Sequence, residues 1–106
     1  MPTTVKSPVQ TYNNYIGGEW IPSRTGKLFE NRNPANQDDL IGRFQESSIE
    51  DAEAAIRAAA RAFESWRLVP APKRAEILFR AAQLIVDRKE QFARDMTREM
   101  GKVLEE

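Results

Sequence analysis

The stretch SIEDAEAAIRAAARAFESW, residues 48–66, decides how the chain is read, because it holds a helix start, a helical period and a packing face together. Ser48 followed three residues later by Asp51 matches a capping box with aspartate in the third place. Glu50, Asp51 and Glu53 put negative charge at the positive end of the helix dipole. Ile49, Ala52, Ile56, Ala59, Phe63 and Trp66 recur at spacings of three and four, which gathers them on one face. Seven alanines between Ala52 and Ala62 raise helix propensity and keep side-chain bulk low, so another backbone is expected to pack close against this face.

Downstream, Val69-Pro70-Ala71-Pro72 breaks the helix, and Pro72 suits the first position of a second one, where a missing N–H costs nothing. Ala75, Leu78, Phe79, Ala82, Ile85 and Val86 give that helix an apolar stripe. A polar corner at Asp87-Arg88-Lys89 precedes a third helix marked by Phe92, Met96 and Met100 and capped by Gly101. Glu53 with Arg57, Glu76 with Arg80 and Glu90 with Arg94 place acid four residues before base, an arrangement worth about 0.2–0.5 kcal/mol per pair on a solvated face. After Gly101, Val103 and Leu104 begin a new apolar run, and Glu105-Glu106 suit a further helix start.

Upstream, Tyr15-Ile16 and Glu19-Trp20-Ile21 flank Gly17-Gly18 and read as a hairpin, with Tyr15 and Trp20 paired across it. Pro22 to Lys27 is a second turn, and Leu28 to Arg32 a strand stopping at Asn33-Pro34. Ala35 to Asp39 is read as a polar turn, and Leu40 to Glu46 as another strand. Residues 1–11, with Pro2, Pro8 and little to bury, are expected to be a flexible leader. The expected organisation is therefore leader (1–11), short strands and hairpins (12–47), and a helical part (48–106).

Composition narrows the chemistry. Sixteen basic and sixteen acidic residues cancel, which leaves no long-range field for nucleic acid or an anionic membrane. The chain has no cysteine and no histidine, so it lacks a thiolate nucleophile, the commonest zinc ligand and the usual general base near neutral pH. No apolar run reaches the length of a membrane span, and Met1 to Gln10 lacks the apolar core of a secretory signal, so a soluble, cytoplasmic chain is expected.

Sharper local readings give way to plainer ones. Gly17-Gly18 has no helix after it to lend N–H groups to a phosphate, so a hairpin turn is preferred. Asn36, Asp38 and Asp39 lack the glycine and the final glutamate of a calcium loop. Residues 72–106 hold eight basic and seven acidic residues, which is a mixed helix surface and not a DNA footprint. Phe92, Met96 and Met100 at helical spacing read as a packing stripe, and Glu99 with Lys102 as a helix-end ion pair.

The order Tyr15-Ile16-Gly17-Gly18-Glu19-Trp20, Asn33-Pro34-Ala35-Asn36, Ala58-Ala59-Ala60-Arg61-Ala62-Phe63 with Trp66, Lys73-Arg74-Ala75 with Ile77-Leu78, and Glu99-Met100-Gly101-Lys102 resembles the amino-terminal part of the aldehyde dehydrogenase superfamily. The likeness runs from about residue 12 to the end of the chain. It implies an α/β, aldehyde dehydrogenase-like fold, present here as an amino-terminal fragment of short β-hairpins followed by three α-helices. It also implies a complete enzyme that uses NAD or NADP to oxidise a small aldehyde to a carboxylate through a cysteine thiohemiacetal, with a glutamate and an asparagine assisting. None of that machinery maps onto these residues, so no catalytic and no cofactor-binding residue is assigned. The chain alone is expected to be inactive and to bind no dinucleotide tightly.

By the same resemblance the segment is scaffold whose partner is the remainder of the same enzyme, and the complete enzyme is a homo-oligomer. Some relatives hold a monovalent cation near backbone carbonyls just before the Asn-Pro turn, a place matched by Asn31 and Arg32, with the acidic partner expected beyond Glu106. The Asn-Pro-Ala-Asn turn, Leu40-Ile41-Gly42-Arg43-Phe44 and Thr97-Arg98-Glu99-Met100-Gly101-Lys102 look most like branches acting on semialdehydes, such as ketoglutarate semialdehyde. The competing expectation is a small, self-contained helical interaction module without enzymatic activity. The two differ in packing: a module must close its own apolar interior, whereas a covering segment leaves its helix faces bare.

Overall fold

The capping box forms as the sequence requires, and it starts the helical half. In the computed structural model, which describes residues 9–104, the Asp51 N–H donates to Ser48 Oγ at 3.2 Å and the Ser48 N–H donates to Asp51 Oδ2 at 2.9 Å. Helix α1 then runs Ile49–Trp66, α2 runs Ala71–Asp87 and α3 runs Lys89–Met100. The second helix begins one residue before Pro72, which takes the second helical position and still forfeits no hydrogen bond. Arg88 alone makes the corner into α3, and Gly101 ends that helix in the left-handed region with φ 78°, as a C-terminal glycine does.

Among the described residues five strands precede the helices: β1 Thr11–Tyr12, β2 Asn14–Ile16, β3 Glu19–Ile21, β4 Leu28–Asn33 and β5 Asn36–Gln45. Strands β2 and β3 form the expected hairpin around Gly17 and Gly18, whose φ angles of 62° and 82° are those a tight turn needs, and Tyr15 faces Trp20 with ring centroids 4.8 Å apart. The other three strands make a sheet in the order β1-β5-β4, with β1 parallel and β4 antiparallel to β5.

Two expectations are corrected here. The polar turn placed at Ala35 to Asp39 is only Pro34-Ala35, and β5 starts at Asn36, because Asn33 pairs with Asn36 and its side-chain oxygen accepts the Ala35 N–H at 2.9 Å. Polar Asn36, Gln37 and Asp38 are exposed, so strand geometry costs them no burial. Thr11 and Tyr12 also pair beside Arg43 and Phe44, a contact between distant residues that no local pattern announces. Most of the expected leader, residues 1–8, lies outside the described residues, as do Glu105 and Glu106.

Among the described residues no hydrophobic side chain is buried. Ile56 on α1 is 68% exposed and Leu78 and Phe79 on α2 are 71% and 75% exposed, although they lie on the stripes that the periodicity marks for packing. The described chain therefore lacks the closed interior that a self-contained helical module requires. Its radius of gyration is 18.1 Å, against about 13 Å for a compact chain of this length.

Candidate functional site

The ladder between β4 and β5 is interrupted where the two sequence-derived site residues sit. Asn31 pairs with Gly42, Arg32 with Leu40 and Asn33 with Asn36, so the register passes over Ile41 and the run Gln37 to Asp39. Such bulges redirect side chains, and Asp39 leaves the sheet toward α3. There it accepts two hydrogen bonds from Arg98, Nε to Oδ2 at 3.1 Å and Nη2 to Oδ1 at 2.6 Å, and a third from Asn33 Nδ2 at 3.3 Å. The hydrogen bond to Asp39 holds the Arg98 guanidinium still further above its ordinary value, against a smaller opposing effect of burial.

Alternation along β4 separates two functions. Asn31 and Asn33 turn toward the end of α3, where Asn31 Nδ2 donates to Glu99 Oε1 at 3.4 Å. Glu30 and Arg32 share the other face: they pair with each other, and Arg32 Nη1 also donates to the Gln37 carbonyl at 3.0 Å. One acidic oxygen therefore stands beside Asn31, and the Arg32 charge is already matched by Glu30. Gly101 completes this corner, since a Cβ built there would lie 3.2 Å from Pro34 Cγ, which docks the end of α3 on the β4–β5 turn.

A second polar cluster ties the loop after β3 to the start of α1. Buried Asp51 accepts from Ser23 Oγ at 2.7 Å, from the Arg24 N–H at 3.1 Å and from both the N–H and hydroxyl of Ser48. Buried Gln45 accepts the Ser23 N–H at 2.9 Å and donates to the Tyr12 carbonyl at 3.1 Å. The Ser48 N–H, then the Ser23 hydroxyl, hold the Asp51 carboxyl well below the usual carboxylate range. Both carboxylate oxygens of Asp51 accept from its own fold, Oδ2 from three donors and Oδ1 from one, which makes the cluster a joint.

What these groups can do chemically is limited. Among the described residues no group of three or more acidic side chains is arranged to hold a metal ion by itself. The glycine pair lies in the turn between β2 and β3 with no helix after it, so this turn lacks the helix N-terminus of a pyrophosphate cradle. Sequence reasoning named Asn31 and Arg32 but missed the contacts that flank them: Asp39 with Arg98 and Asn31 with Glu99 join residues 59 and 68 apart. Asp39 was read as part of a solvated turn, and only the mismatch in strand length between β4 and β5 could have signalled a bulge there.

A family model described as "Aldehyde dehydrogenase family" matches residues 20–106. The chain is 47% identical over 94 residues to malonate-semialdehyde dehydrogenase 2 of Geobacillus kaustophilus, which covers 89% of this chain and 19% of that protein. It is 41% identical over 96 residues to alpha-ketoglutaric semialdehyde dehydrogenase of Bacillus subtilis, covering 91% of this chain and 20% of that one. The fold is similar to that of a betaine aldehyde dehydrogenase point mutant from Staphylococcus aureus solved in complex with NAD+, with a TM-score of 0.84 and 40% identity over 89% of this chain and 19% of that one. The chain thus spans about a fifth of the length of the relatives it matches.

Proposed function

The chain belongs to the aldehyde dehydrogenase family, and from this premise we propose that it is the amino-terminal covering segment of an NAD(P)-dependent enzyme that oxidises a semialdehyde to a carboxylate. The observation that carries the reading is the set of bare apolar stripes on α1, α2 and α3, joined to a match over only a fifth of each relative's length. The semialdehyde assignment rests on the two relatives named above.

In the proposed enzyme the dinucleotide, when bound, supplies the hydride acceptor. The residues of this chain do not touch it. Their work is to present α1 and α2 as a layer, held at one end by the Ser23–Asp51–Ser48 joint and at the other by the docking of α3 on the β4–β5 turn. Cytoplasmic location and homo-oligomeric assembly belong to the same reading, and no helix of the described residues is long and apolar enough to cross a membrane.

The reading also places a monovalent cation at the carbonyls of Asn31 and Arg32, with the Glu99 carboxylate inside this chain as an acidic neighbour. The donor chemistry fits: backbone carbonyl, amide and carboxylate oxygens are the hard ligands such ions take, and the one nearby guanidinium on β4 is neutralised by Glu30.

The test compares the 106-residue chain with the complete gene product, both pure, in a spectrophotometric assay of NAD+ and NADP+ reduction with malonate semialdehyde and alpha-ketoglutaric semialdehyde. Turnover is expected from the complete product alone. Turnover by the 106-residue chain overturns the covering role, and a complete product inert toward both semialdehydes but active on other aldehydes overturns the substrate assignment.

A further inference from the structure

We propose that Arg98 and Asp39 are positioning residues that hold Glu99 beside Asn31, so that the oxygen cluster at this corner is set in place before a monovalent cation arrives. The inference rests on the cation reading above and adds to it the part of the chain that builds the site.

Three observations lead to it. First, Asp39 lies within the bulge on β5 and reaches Arg98, which grips both of its oxygens at 3.1 and 2.6 Å. A two-pronged guanidinium–carboxylate contact fixes orientation as well as distance, which a single charge pair does not. Second, Glu99 follows Arg98 on the last turn of α3, and its contact with Asn31 is long, 3.4 Å, too weak to hold the helix end by itself. The placement of Glu99 must then come from its neighbours: Arg98 on one side, and on the other Gly101, close against Pro34 and Ala35. Third, Asn33, on the same face of β4 as Asn31, donates to the same Asp39 that Arg98 grips. The strand that carries Asn31 and the helix turn that carries the carboxylate are thereby fastened to one side chain.

Charge supports the same assignment. Arg98 sits one residue from Glu99 and would compete with a cation for that carboxylate if it were unpaired. Asp39 neutralises it, which removes the Arg98 charge from the competition for Glu99. Loss of Asp39 should therefore harm the site twice, by loosening α3 and by releasing the guanidinium toward Glu99.

The experiment uses the complete enzyme. Thermal unfolding is followed in potassium, sodium and choline chloride at one fixed ionic strength, so that general screening is constant and only specific binding moves the midpoint. The wild type is expected to gain Tm with potassium or sodium over choline, and Glu99→Gln to lose that gain. Arg98→Met and Asp39→Asn should shift the half-saturating cation concentration upward by roughly tenfold or more, as loss of a group that orients a metal ligand does. Arg98→Lys, which keeps charge but not the fork, should fall between.

A purely structural role predicts something else: both variants would unfold earlier by the same amount in all three salts, with the half-saturating concentration unchanged, and that result overturns the proposal. If one variant fails to fold, the other carries the same test. A wild type indifferent to cation identity, or a Glu99→Gln variant that keeps the full gain, overturns the cation reading and this inference with it. A responsive wild type with unmoved Arg98 and Asp39 variants defeats this inference alone.

Discussion

Asp51 shows how a single side chain is committed twice. Its backbone N–H and carboxylate close the capping box with Ser48, and the same carboxylate receives the Ser23 hydroxyl and the Arg24 N–H from the loop after β3. All these donors favour the ionised form, which is why its folded value lies below the ordinary 3.8. The sign of the linkage follows: between the two values the unfolded chain binds the proton more readily, so stability rises with pH there. The contribution is complete above 3.8 and is lost as pH falls through the lower, folded value. In the complete enzyme, Asp51→Asn should thus melt earlier than wild type at neutral pH, and the gap should narrow as the buffer is taken below 3.8. A gap that is constant from neutral to acid pH would show that the carboxylate charge contributes nothing to the joint.

Elements differ in how far local pattern foretells them. The start of α1, the proline break before α2, the Arg88 corner and the glycine end of α3 were all legible, because caps, prolines and positive-φ glycines act within four residues. The Gly17-Gly18 hairpin was legible for the same reason. Strand β5 was legible from Leu40 onward but not before it, since its first four residues, Asn36 to Asp39, are polar and owe their conformation to pairing across a two-residue turn and a bulge. Nor was β1, whose pairing with β5 joins residues about thirty apart; what marks it is Gly42, buried beneath the Tyr12 ring. A Cβ at that position would sit 2.7 Å from Tyr12 Cε2 and 3.3 Å from the Gln10 carbonyl oxygen. The ring stacks on Phe44 at 5.0 Å, so moving it costs that contact as well. Gly42→Ala should therefore destabilise the complete enzyme by about 1–3 kcal/mol, the usual range for overpacking, whereas the exposed Gly26→Asn, at φ 67°, should be nearly neutral because asparagine tolerates that region. Denaturant midpoints of the two variants decide the point, and an Ala at 42 as stable as wild type would mean that β1 is free to lift away.

At the scale of the whole molecule the helices leave their apolar stripes bare. The accessible surface is 9187 Å², whereas a compact protein of 12.1 kDa exposes about 6,000 Å². The surplus goes with apolar side chains left exposed on all three helices, and the principal extents of 59 × 36 × 23 Å describe an extended body, not a sphere. If α1 and α2 are a cladding layer, one substitution should act in opposite directions in two settings. Leu78, 71% exposed on α2, and Ile56, 68% exposed on α1, are the places to make it. In the 106-residue chain, Leu78→Glu and Ile56→Glu replace bare apolar surface with charge, so dye binding and self-association should fall. In the complete enzyme the same glutamates would be forced into a covered interface with no counter-charge, an arrangement that typically costs several kcal/mol and lowers soluble yield or Tm sharply. Surface positions that are never covered tolerate such changes within about 0.5 kcal/mol. A complete enzyme carrying either glutamate with an unaltered Tm would show that these faces stay in water, and the covering role would fall even though the family assignment stood.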